Sequence, residues 1–181
     1  MKRTATRTTR TAKVALVGVL AGMVLSVAHG GSAEAATKRH PVTKADKAAA
    51  KVANGKICDG LSGYAETGCR FGVFQWKRGS KRALTVHEAS ASTGTLVLYH
   101  GSRKVGKPAD EISDLDKRAL NTANGTCKDV SRDTSAWKAC SVGVFSLNAQ
   151  RVITAADYDV VQNRDGLYVL ALHNGSRKIS A

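Results

Sequence analysis

His87 and Glu88 stand side by side, and a small basic protein holding a histidine and a glutamate could cleave a phosphodiester with them as base and acid. Neighbours in a strand point to opposite faces, so Glu88 would have to work with His100 or His173 across a hairpin. His100 and His173 read instead as partly exposed polar residues at strand ends, beside Gly-Ser-Arg-Lys runs. The chain has no G-x-S-x-G elbow, no H-E-x-x-H, no phosphate-binding glycine loop and no dinucleotide fingerprint. The expectation is a protein with no catalytic residue, no cofactor and no bound metal. Cys58, Cys69, Cys127 and Cys140 lack the short C-x(2–4)-C spacing of a zinc site. Disulfides are the better reading, and of the three possible pairings the simplest joins Cys58 to Cys69 and Cys127 to Cys140. Each bridge would close a loop of roughly a dozen residues, worth about 3 kcal/mol.

Binding chemistry is better represented. Lys77, Arg78, Lys81 and Arg82 crowd one turn with Trp76 at its edge, an arrangement that suits an anionic partner, a phosphate backbone or an acidic protein surface. The same charges also block edge-to-edge strand pairing. Trp137 would be the natural anchor for a partner if exposed. With Lys38, Arg39 and His40 of the amino-terminal arm, Trp76, Lys77, Arg78, Lys81, Arg82 and Trp137 form the expected partner-binding set.

These residues sit on a sequence that says one thing twice. DKAAAKVANG, at 46–55, returns as DKRALNTANG at 116–125. The period of about 70 residues is long for a solenoid and suits a duplicated small module. Thr43 with Asp46, and Ser113 with Asp116, have the three-residue spacing of a capping box, so each copy should open with a helix. Asn54-Gly55 and Asn124-Gly125 would end those helices. The cysteine-bounded segments read as surface loops. Cys69–Phe74 and Cys140–Phe145 read as strands, as do 82–86 with 151–155 and 96–104 with 170–178. The expected class is α+β, a tandem duplication of one helix plus a three-stranded antiparallel module, each with an internal disulfide. The boundaries are a signal at 1–35, a basic extended arm at 36–42, a basic module at 43–108 and a neutral module at 109–181. Loops differ more than strands: the turn between Trp76 and Arg82 is longer than its counterpart, and the second copy gains about five residues around 157–165.

Lys2, Arg3, Arg7, Arg10 and Lys13, then an apolar run at 14–27 and the Ala33-Glu34-Ala35 site, have the layout of a secretory signal cleaved near Ala35. Its removal takes the chain from 28 basic and 14 acidic residues to 23 and 13, a net of +10. Residues 53–108 hold nine basic and three acidic residues, and 109–181 hold nine of each. Such one-sided charge favours an acidic protein partner over nucleic acid, with no membrane span.

Signal, basic arm, compact cysteine-bearing body and no active-site motif together resemble the small adaptor subunit of the umbrella toxin particles exported by filamentous actinobacteria. That resemblance lies in organisation and carries over no individual residue. It implies that the arm and one module contact different subunits, joining lectin-bearing subunits to a large stalked toxin. The expected function is therefore a secreted, non-enzymatic protein–protein interaction module, an adaptor in an exported complex. The other readings are a secreted protease inhibitor, a binder of anionic envelope polymer, and a small basic ribonuclease.

Overall fold

Thr43 and Asp46 do what their spacing predicts. The Thr43 hydroxyl accepts from the Asp46 amide at 3.1 Å and the Asp46 carboxylate accepts from the Thr43 amide at 3.0 Å, starting α1, Lys44–Ala53. Ser113 and Asp116 repeat both bonds at the start of α3, Asp114–Thr126. The computed structural model describes residues 40–79, 81–131 and 134–181. The expected signal, arm residues 36–39 and the acidic-basic pair 132–133 lie outside them.

The strands expected at Cys69–Phe74 and Cys140–Phe145 are helical. They lie in α2, Gly63–Arg78, and α4, Ser135–Ala149. Every residue from Gly68 to Gln75 is buried, as is every residue from Ala139 to Leu147. A helix buried on all sides shows no apolar stripe, and a short apolar run then reads like a buried strand. The usable signal was the spacing of small residues. Gly68 and Gly72, and Ala139 and Gly143, are each four apart and so share one helix face. There the two backbones meet: a Cβ on Gly143 would stand 1.7 Å from the Gly68 carbonyl oxygen, and one on Gly72 would stand 2.0 Å from that of Ala139.

Among the described residues eight short strands complete an α+β fold, all paired antiparallel: β1 Arg82–Ala83, β2 Ala89–Ser92, β3 Thr95–Leu98, β4 Arg103–Ala109, β5 Arg151–Val152, β6 Tyr158–Gln162, β7 Tyr168–Leu172 and β8 Gly175–Ile179. One sheet runs β1-β4-β8-β5, so two strands of the first half and two of the second join, through β4 and β8, with no break between them. β2 with β3, and β6 with β7, form separate hairpins. The five additional residues of the second half lengthen its hairpin, three in the β6–β7 turn and one in each strand.

Asn54 ends α1 as expected, its amide donating to the Ala50 carbonyl at 2.9 Å, but Gly55 is extended at φ −80° and α3 runs past Asn124 and Gly125. The Asn54 side chain also accepts from the Leu96 amide at 2.6 Å and donates to the Leu96 carbonyl at 3.1 Å, pairing as a strand would. Asn124 makes the same two bonds with Leu170, at 2.9 and 3.2 Å. Each amide fastens a helix to its hairpin.

Disulfides join Cys58 to Cys69 and Cys127 to Cys140, as the sequence suggested. The segments between them are not simple loops. Residues 56–58 form a single 3-10 turn, and Gly63–Cys69 and Ser135–Cys140 are the opening turns of α2 and α4. No described helix is long and apolar enough to cross a membrane.

Candidate functional site

α2 ends at a cationic turn that the sequence placed between two strands but that leads from helix to sheet. Gly79, at φ +72°, caps the helix in a conformation closed to most side chains and turns the chain toward β1. Gln75 and Trp76, on the last turns of α2, thereby face across a gap toward the second half of the chain. Arg82 of β1 and Val105 of β4 continue this wall. Val142 of α4, Val152 of β5, Ile153, Thr154, Ala155 and Tyr158 form the other. They enclose an apolar cleft of about 210 Å³.

The cleft has one conspicuous polar defect. Gln75 is 8% exposed, and its Nε2 is sealed from solvent without a partner among the described residues. The Ser146 hydroxyl approaches its Oε1 at 3.4 Å but has a better acceptor in the Val142 carbonyl at 2.8 Å. A buried amide left in this state costs about 1–3 kcal/mol. Trp76 stands at the lip, 40% exposed, and burial raises the pKa of the Tyr158 hydroxyl on the opposite wall. Arg82 is held in place by Ser102, its Nε donating to the hydroxyl at 3.0 Å and its Nη2 to the carbonyl at 2.6 Å.

One difference between matching motifs falls in this cleft. Two residues past the second cysteine of each pair stands Phe71 in the first half and Val142 in the second. Phe71 is buried, and the smaller Val142 helps line the cleft. Gln75, Val142, Ile153 and Tyr158 were not among the residues expected to bind. Only this Phe-to-Val change within a repeated phrase could have pointed to them.

The residues singled out by sequence separate into distinct places. Trp76 and Arg82 line the cleft, and Lys77 and Lys81 are exposed next to them. Arg78 turns inward, with Nε 2.9 Å from the Asp46 carboxylate. Trp137 is 1% exposed and packs in the core against Tyr168, with ring centroids 6.4 Å apart, so the anchor role that depended on its exposure does not apply. Lys38 and Arg39 lie outside the described residues. His40 is held against the body, its carbonyl accepting from the Gly101 amide at 2.7 Å.

Glu88 is also committed. It is 1% exposed, accepts from the Thr85 amide and hydroxyl, and meets Arg103 at 2.5 Å. His87 beside it is exposed. His173 bonds Asp159 at 3.0 Å on the surface of the second hairpin. Among the described residues no group of three or more His, Cys, Asp or Glu side chains is placed to hold a metal ion. No protein-family model matches the chain, and neither a curated protein nor a solved structure shows significant similarity to it.

Proposed function

We propose that the protein is a secreted, non-enzymatic interaction module, an adaptor within an exported complex of the toxin type, and that its two halves are copies of one module. The observation carrying this reading is the cleft: an apolar hollow with an aromatic lip, an unpartnered amide in its wall and exposed lysines at its rim. Apolar concavities with a few polar groups are the default binding sites of proteins. Two disulfides in a chain of this size fit an oxidising, extracellular setting.

The burial of Glu88 between Thr85 and Arg103 counts against a nuclease that uses it as acid or base. A protease inhibitor would need a rigid protruding loop, whereas much of each cysteine-bounded segment is helix. Binding to envelope polymer would draw on the same lysines and is separated by salt.

Purification of the native protein from culture fluid at raised ionic strength tests the reading. The expected result is a stoichiometric complex with another secreted protein that survives the salt. Recovery of the chain alone, with salt-sensitive binding to teichoic acid, would replace the adaptor with a polymer binder.

A further inference from the structure

We propose that the cleft between α2 and β5 seats one bulky apolar side chain from an extended, acidic segment of a protein partner. This deepens the reading of the chain as an interaction module and rests on it. At about 210 Å³ the cleft falls below the roughly 300–1,000 Å³ of sites that enclose a small-molecule ligand. It has room for one side chain, not for a helix or a cofactor.

Gln75 explains why the occupant is a peptide and not a lipid tail. Its amide has one weak contact, at 3.4 Å to Ser146, so its terminal torsion is little restrained. Turning that amide exchanges the unpaired end but leaves one end unpaired. A backbone peptide group beside the anchor offers both a donor and an acceptor, and the Gln75 amide meets it by swinging toward the cleft that it lines. An aliphatic chain satisfies neither.

Charge sets the flanks. The first wall is lined by Gln75, Trp76, Gly79, Arg82 and Val105, and the sequence around them, 75–82 and 102–107, contains no acid. Arg78 and Arg103 are taken up by Asp46 and Glu88, while Lys77, Lys81, Lys104 and Lys107 are exposed. Lys104 stands directly across from Arg82 in the β1–β4 ladder, and Lys107 lies two residues beyond Val105. On the opposite wall Asp157 is buried and paired with Arg177, and the exposed Asp159 bonds His173. Acidic residues on one side of the anchor therefore meet the lysine rim, with Trp76 closing over the anchor as aromatic lip residues do at the centre of interfaces.

Random dodecapeptides displayed on phage and selected against the disulfide-bonded chain test this. Enriched sequences should carry a single Leu, Ile, Phe or Trp with Asp or Glu to one side. A synthetic copy of the best should move the Gln75 side-chain amide resonances. Val142→Phe, which places in the cleft the residue found at the matching position of the first half, should weaken that peptide about tenfold or more. Trp76→Ala, at an exposed position, should do the same and carries the test if Val142→Phe fails to fold. Equal binding to the parent and the folded variants overturns the proposal, as do enrichment of basic or anchorless peptides and failure to enrich any. If a secreted partner co-purifies equally with parent and Val142→Phe chains, this seat is wrong and the adaptor reading stands. If no partner accompanies the parent chain, the adaptor reading itself falls.

Discussion

Asp46 and Asp116 sit at the same place in their helices and receive the same bonds, yet only Asp46 also faces an arginine. Each accepts from the N-cap residue's amide and hydroxyl and from a serine 56 or 60 residues later, Ser102 or Ser176. Arg82 and Arg151 clasp those serines in the same manner. Glu88 with Arg103, and Asp157 with Arg177, repeat a third set. Counting from the second cysteine, however, Arg78 of the first half corresponds to Ala149 of the second, and Phe71 corresponds to Val142.

The contrast teaches where the chain is constrained and where it is free. Polar bonds that pin helix to strand are kept in both halves, because leaving any one partner buried and unsatisfied is costly. Apolar volume and surface charge differ, and both differences gather around the end of α2.

The largest effects should come from the glycine contact. Gly72→Ala and Gly143→Ala each force a methyl group into a carbonyl of the facing helix, and each should cost at least about 3 kcal/mol, the upper end of overpacking penalties. Urea unfolding followed by circular dichroism reads this directly. If one is tolerated and the other is not, the helices do not meet symmetrically.

Loss of either disulfide ranks with these or just below. Paired Cys→Ala changes at 58 and 69, or at 127 and 140, should each remove about 3 kcal/mol, since the cysteines are 11 and 13 residues apart and loop entropy grows only slowly with length. A gap between the two variants larger than about 1 kcal/mol would break the equivalence of the halves.

A smaller effect sharpens the difference at the aspartates. Asp46→Asn should cost about 1.5 kcal/mol more than Asp116→Asn, because it also leaves Arg78 without its carboxylate. Equal costs would mean that Arg78 contributes nothing net. The pH dependence follows the same geometry. Burial alone would raise the pKa values of Asp46, Glu88, Asp116 and Asp157, but it is outweighed by hydrogen bonds from Ser102, Thr85, Ser176 and Arg177 respectively, and by further partners. All four carboxylates are held below their ordinary values of 3.8 for Asp and 4.5 for Glu. Their contribution to stability is complete above that range and is lost as pH falls through the lowered folded values. Unfolding midpoints should therefore be flat near neutrality and drop in acid, with Asp46→Asn showing a shallower drop.

Features legible in the sequence were those written locally or twice. Capping boxes need only a hydroxyl and an acid three residues apart, and the disulfide pairing followed from matched cysteine positions. The helical run through Cys69 and Cys140 was hidden because complete burial erases periodicity, leaving Gly68, Gly72 and Gly143 as the sole trace of a helix contact. Asn124 misled for another reason. Asn-Gly favours turns, and Asn54 does end its helix, but at Asn124 a tertiary bond to a strand overrides that local preference. The cleft was illegible because its walls join residues such as Gln75 and Ile153, which only the assembled sheet and helices bring together.

The outer strands of the four-stranded sheet, β1 and β5, are two residues long, and their arginines are folded back onto Ser102 and Ser176. An unpaired strand edge is a template on which another chain can polymerise, and so short a template offers almost nothing to copy. An edge trimmed this way lets the sheet tolerate crowding among its own kind. It also means that a partner gains little by adding a strand here and must recognise this sheet by side chains.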